Sequence, residues 1–172
     1  MEMKMDYRPL TTNDVEAAAI IFSEAYFSDP LISFVLPNSR TRKRTVKKIF
    51  RVIGELSIKN HRVFGVGGPL QGVAYWQQPD QENLSISVKS IGKFIPLLFT
   101  SYLFSLYRVR KVIAEIDALH QKYAHQPHYD LDNLAVLPSW QGKGIASRLI
   151  RPFLEMADSQ HVGIHGYRYA IE

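Results

Sequence analysis

The chain has 172 residues, the span of one ordinary domain, and its 46% hydrophobic and 22% charged residues supply a core and exclude a disordered composition. It has no cysteine, which excludes disulfides, zinc–thiolate sites, iron–sulfur clusters and cysteine nucleophiles. A net charge of +5 attracts anions in general (nucleic acid, anionic lipid or a phosphorylated cofactor) without choosing among them.

The opening residues, MEMKMDYRPL, lack the apolar core of a signal peptide, so a cytoplasmic setting is expected. Tyr7 to Leu10 read as a short strand. TTNDVEAAAIIFSEAY reads as a helix capped by Thr12 or Asn13, with Asn13 and Glu16 at capping-box spacing and Val15, Ala18, Ile21, Phe22 and Ala25 along one face. FSDPLISFVLP holds two prolines and reads as a loop. The next segment, SRTRKRTVKKIFRVIGELSIKN, is an amphipathic helix. Its apolar stripe is Val46, Ile49, Phe50, Ile53 and Leu56, and its basic face carries Arg42, Lys43, Arg44, Lys47, Lys48 and Arg51. No nucleic-acid-binding motif accompanies that charge, so a solvated face is expected rather than a nucleic-acid surface.

HRVFGVGG and LQGVAYWQQP form a hairpin around a Gly67–Pro69 turn, with β-branched and aromatic residues at Val63, Val66, Val73, Tyr75 and Trp76. Residues 84–124 read as two helices broken near Gly92 to Pro96. The most apolar run, Phe94 to Tyr107, is shorter than the roughly 20 residues a membrane-spanning helix needs, so no insertion is expected. HYDLDNLAVLP is a strand. WQGKGIASRLIRPFLEMAD is a helix with the stripe Ile145, Leu149, Ile150, Phe153 and Leu154, and Pro152 should kink it. VGIHGYRYAIE closes on a strand. The order β-α-α-β-β-α-α-β-α-β is that of one mixed α/β domain over residues 1–172. His120, His125 and His128 match no standard ligand spacing, and no metal is expected.

The segment QGKGIA, Gln141 to Ala146, puts two glycines between a strand and a helix. A P-loop would need glycine at position 137 and Ser or Thr at 144, where the chain has Leu137 and Gly144. The dinucleotide fingerprint fails at Ser147. A helix start nevertheless offers free N–H groups and the positive end of a dipole. Gly142 and Gly144 let those amides approach a diphosphate, and Lys143 and Arg148 add charge.

Gln141, Gly144 and Ala146 fit the [QR]xxGx[GA] turn of the GNAT N-acetyltransferases, and DLDNLAVLPSWQGKGIASRLI resembles the central strand–loop–helix of that superfamily, in its small-molecule, puromycin-type branch. The resemblance implies a central, mostly antiparallel sheet flanked by helices, with the C-terminal part abbreviated. It implies acetyl-CoA as co-substrate and direct transfer to a primary amine of a small molecule. Acetyl-CoA would be held by the backbone of Leu134, Ala135 and Val136 and by the turn Gln141, Gly142, Lys143, Gly144, Ile145 and Ala146. The Val136 amide, or a neighbour, would serve as oxyanion donor. Some members place a basic Glu where this chain has Asp130. Asp132, two residues on, shares a face with it in an unbulged strand, so both are candidate catalytic carboxylates. Asp29 and Glu24 are weaker candidates. Phe27, Phe34, Tyr75 and Trp76 are aromatic candidates for an acceptor pocket or for core.

Family members usually continue into a helix whose Tyr, in a pattern like LYExxGF, protonates the thiolate. About fifteen residues follow Asp158 here without that pattern, and Tyr167 and Tyr169 stand in another context. A sheet edge left open in this way is one a second copy could cover, making a homodimer. The alternatives are a relative that binds CoA without turnover and a basic adaptor at nucleic acid or a membrane surface.

Overall fold

The computed structural model describes residues 7–60, 62–79 and 126–166, and between them helical residues at 107, 108, 110–112, 114, 115, 118 and 122. The apolar run over 94–106, His120, His125, Tyr167 and Tyr169 lie outside the described residues, as does most of the helix pair expected over 84–124. Among the described residues, no helix is long and apolar enough to cross a membrane.

Strand β1 is Tyr7–Pro9, α1 Val15–Ala25, α2 Pro30–Val35, α3 Ser39–Lys59, β2 Val63–Val66, β3 Gly72–Gln77, β4 His128–Val136, α4 Ile145–Gln160 and β5 Gly163–Gly166. They form a five-stranded sheet in sequence order, antiparallel from β1 to β4 and parallel between β4 and β5. This is the mixed, mostly antiparallel α/β arrangement that the sequence implied.

The start of α1 is set differently from the expected capping box. Asp14, not Glu16, accepts from the Thr11 backbone N–H at 2.8 Å and takes the Arg8 guanidinium at 2.7 and 2.9 Å, which holds its carboxyl well below the usual carboxylate range. Glu16 instead pairs with Lys47 on α3. The segment expected to be a loop contains α2. Asp29 caps it by accepting from Ile32 N–H at 2.9 Å, and Pro30 sits at the first helical position, where its missing N–H costs nothing.

Each face of the sheet carries its own apolar cluster. One face holds Val73, Tyr75 and Ala135, covered by α1 and α3 through Val15, Ala18, Phe22, Val46 and Phe50. Phe22 stacks on Phe50 with ring centroids 4.1 Å apart, and both meet Tyr75 edge-on. The other face holds Val66, Ala74, Trp76 and Tyr129, covered by α4 through Ile145, Leu149, Phe153 and Ala157. Leu154, expected in that stripe, is exposed, and Ala157 takes the place one turn on. Helix α4 runs through Pro152 without ending. Gly72 explains how closely α4 sits on β3: a Cβ there would come within 2.6 Å of Ile145 and 3.1 Å of Leu149.

Phe153 is the hub of the second cluster. It is 1% exposed, stacks on Trp76 at 4.0 Å and meets Phe64 and Tyr129 edge-on. Truncation leaves a cavity between sheet and helix, so Phe153→Ala should cost about 3–5 kcal/mol. Urea denaturation should show this as a lower midpoint at unchanged slope, and a loss below about 1 kcal/mol would contradict this packing.

Candidate functional site

The site begins with one extra residue in β4. Gln77 pairs with Asp130 and Trp76 with Leu131, but Tyr75 pairs with Asn133, so Asp132 is a bulge. An inserted residue bends a strand and increases its twist. On its other edge β4 pairs with β5 at His128 to Leu131 among the described residues. The strand is therefore not regular where the two candidate carboxylates stand, contrary to the unbulged spacing expected from sequence.

Strand alternation decides which backbone groups of β4 face away from β3. Leu137 N–H donates to Gln71 carbonyl at 2.9 Å, which fixes the phase: Ala135 and Asn133 bond toward β3, while Leu134 and Val136 point away from it. Of the three strand residues implicated by the resemblance, Ala135 therefore has its backbone groups committed to the sheet. Leu134 meets a side chain that sequence reasoning did not single out. The Tyr26 hydroxyl, at the end of α1, donates to its carbonyl at 3.1 Å and accepts from its N–H at 3.3 Å. Burial pushes the Tyr26 hydroxyl far above its ordinary value, so it stays protonated. The Val136 carbonyl accepts from Gln141 Nε2 at 3.2 Å, and among the described residues nothing accepts from its N–H.

That glutamine opens the turn. Pro138–Trp140 form a short 3-10 turn, and α4 starts at Ile145 after Gly142 at φ +72° and Gly144 at φ +77°. Both glycines lie in the left-handed region that a side chain disfavours. A Cβ on either would meet nothing within 4 Å, so the turn presents backbone to open space. Lys143 folds back on the loop, with its ammonium 2.9 Å from the Ser139 carbonyl and 4.6 Å from the centre of the Trp140 ring. Ile145 is buried as the anchor of the helix, while Ala146 is half-buried at its first turn.

On the far side of the bulge stand the carboxylates. Asp130 is buried and His128 Nε2 lies 3.1 Å from its Oδ2. Asp132 keeps an exposed side, yet protein crowds its carboxyl enough that burial, with repulsion from Asp130 and against the pull of Arg62, pushes it up to about 6. Arg62 is itself buried, just before β2, a cation that no motif announces. The weaker candidates have other roles: Asp29 caps α2 and Glu24 pairs with Lys43. Tyr75 and Trp76 are each 1% exposed and belong to the core, while Phe27 and Phe34 are exposed under the guanidinium groups of Arg42 and Arg108. On the basic face, Arg42 donates to the carbonyls of Leu36, Phe27 and Pro37, and Lys43, Lys47 and Arg51 pair with Glu24, Glu16 and Glu55.

Residues 99–170, which include β4, the glycine turn, α4 and β5, match the acetyltransferase (GNAT) family. The fold of the chain is similar to a solved histone acetyltransferase and related acetyltransferase from Corynebacterium glutamicum (TM-score 0.53, 18% identity, 88% of this chain and 70% of that one). It is also similar to arylalkylamine N-acetyltransferase 2 from Aedes aegypti (0.52, 14%, 90% and 70%) and to polyamine N-acetyltransferase from Drosophila melanogaster (0.53, 8%, 96% and 76%). In sequence, a probable serine/threonine-protein kinase of Dictyostelium discoideum is 24% identical over 169 residues, 89% of this chain. The chain spans only 18% of that protein's length.

Within this turn, Gly144 itself meets no side chain, and its left-handed backbone is what a substitution there strains. Gly144→Ala should therefore destabilise the fold by about 1 kcal/mol from its left-handed φ, with no steric addition. A thermal melt checks this, and an unchanged or raised Tm would mean that the turn adopts another conformation.

Proposed function

We propose that the chain is an acetyl-CoA-dependent N-acetyltransferase of the small-molecule branch, moving an acetyl group directly to a primary amine. The observation that carries the reading is the Val136 N–H, which points away from β3 and, among the described residues, meets no acceptor, at the end of a strand that leads into the open glycine turn. An extended pantetheine arm suits that side of β4 as a strand would. A diphosphate suits the amides of residues 141–146 at the positive end of α4. The residues present fit acetyl-CoA as co-substrate. The solved arylalkylamine and polyamine N-acetyltransferases of like fold support a small amine acceptor.

The chemistry divides among this chain's groups. The Val136 N–H donates to the thioester oxygen as negative charge develops there. Tyr26 holds the Leu134 peptide in place and limits what else can bond to it. Asp132, at the bulge, takes the proton of the attacking ammonium, because Asp130 beside it is engaged by His128. The amine nitrogen then bonds to the acetyl carbon, the carbon–sulfur bond breaks, and the CoA thiolate leaves.

Two measurements test this. Acetyl-CoA at 100 times its Kd should add about 2.7 kcal/mol of stability in a thermal-shift titration. Gly144→Glu, which sets a carboxylate where the diphosphate should lie, should abolish that shift. A folded wild-type chain that shows no shift with acetyl-CoA or CoA contradicts the reading. Asp132→Asn should keep the shift and lower kcat on a panel of arylalkylamines and polyamines by about 10²–10⁴-fold. A variant with wild-type turnover would remove Asp132 from the mechanism.

A further inference from the structure

The parallel pairing of β4 with β5 brings together three side chains that the acetyl-transfer reading does not use as a set. Asp130 and His165 are direct partners across the two strands, and His128 lies two residues before Asp130 on the same side of β4. The ring centroids of His128 and His165 are 4.3 Å apart. One ligand-capable atom from each of the three lies within 4.8 Å of the others. The His128 and Asp130 side chains are only 11% and 9% exposed.

The hydrogen-bond chemistry of His128 gives the cluster its meaning. Its Nδ1 lies 2.6 Å from the Gln126 carbonyl oxygen, which can only accept, so Nδ1 carries the proton. Its Nε2 then faces the Asp130 carboxylate oxygen 3.1 Å away. In a mostly buried place with a second imidazole alongside, that spacing is filled either by the second N–H of an imidazolium or by a metal ion. A histidine whose outer N–H is held by a backbone carbonyl while its inner nitrogen meets a carboxylate and another histidine is the arrangement that orients metal ligands. Around a tetrahedral ion with bonds of about 2.0 Å, neighbouring donor atoms stand roughly 3.3 Å apart. The His128–Asp130 separation of 3.1 Å matches, and the His165 ligand atom lies within 4.8 Å of both.

We infer that His128, Asp130 and His165 bind a divalent transition-metal ion of the zinc type, clamping β5 to β4 just before the bulge. Two imidazoles and one carboxylate are borderline N/O donors, which suit zinc or cobalt and not the all-oxygen preference of calcium or magnesium. Among the described residues the strands share four residue pairs, and such a clamp would tie β5 to β4. The inference does not depend on acetyl transfer. It also departs from the sequence reading, which looked for partners of His128 at His120 and His125 and expected no metal.

The test uses the tag-free chain, stripped with a chelator and dialysed against buffered free zinc. The expected result is one zinc ion per chain, a rise in Tm on loading, and visible d–d absorption of an N/O-ligated ion when cobalt replaces zinc. His128→Ala and His165→Ala should each weaken binding more than 10-fold, while His161→Asn, outside the cluster, should not. His165→Gln, with circular dichroism on each variant, separates loss of ligand from loss of fold. No stoichiometric zinc or cobalt binding to the folded wild type overturns the inference. So does binding that His128→Ala and His165→Ala leave unchanged. In either case the cluster is an ion pair between His128 and Asp130 in which a proton stands where the metal was inferred.

Discussion

One inserted residue, Asp132, governs the geometry of everything around it. A regular β4 would pair with β5 along its whole length, and every backbone group between His128 and Val136 would have a sheet partner. The bulge breaks that register at Tyr75 and Trp76, and the described pairing with β5 covers His128 to Leu131. Past that point Leu134 and Val136 turn their backbone groups away from β3, to a side of the strand where no described strand lies. Part of that side is closed by the Tyr26 hydroxyl, and it runs straight into a turn whose two glycines point backbone outward.

Strand β4 holds its place because the two faces of the sheet are packed independently. Val73, Tyr75 and Ala135 are locked against α1 and α3, and Ala74 and Trp76 against α4. A one-residue slip of β4 would carry Ala135 off the face covered by α1 and α3, and Leu134 and Val136 off the face covered by α4. The same packing seats the start of α4: Ile145 and Leu149 press on Gly72 of β3, so the glycine turn cannot drift relative to the sheet.

Much of this was legible in sequence because it is local. The 3.6-residue spacing of Val46, Phe50 and Ile53 marks α3, and the glycines of QGKGIA mark the turn before α4. The Pro30 helix was missed because two prolines seven positions apart, Pro30 and Pro37, read as a break, although one of them stands where a proline favours a helix start. The bulge was not legible, since nothing in DLDNLAV distinguishes an inserted residue from a paired one. Tyr26 reaches Leu134 across 108 residues, and His165 meets His128 only because β5 pairs parallel to β4, so neither contact leaves a spacing to find. The aromatic quartet could be divided only once burial was known: Tyr75 and Trp76 are core, and Phe27 and Phe34 are surface.

The most direct measurement is amide hydrogen exchange across residues 133–146 with and without saturating acetyl-CoA. If this side of β4 and the glycine turn together hold the co-substrate, exchange in this segment should slow on binding, while exchange along α3 stays the same. Exchange unchanged at Val136 and through Gly142 to Ala146 at saturation would contradict the account, and would mean that this side of β4 and the glycine turn serve something other than acetyl-CoA.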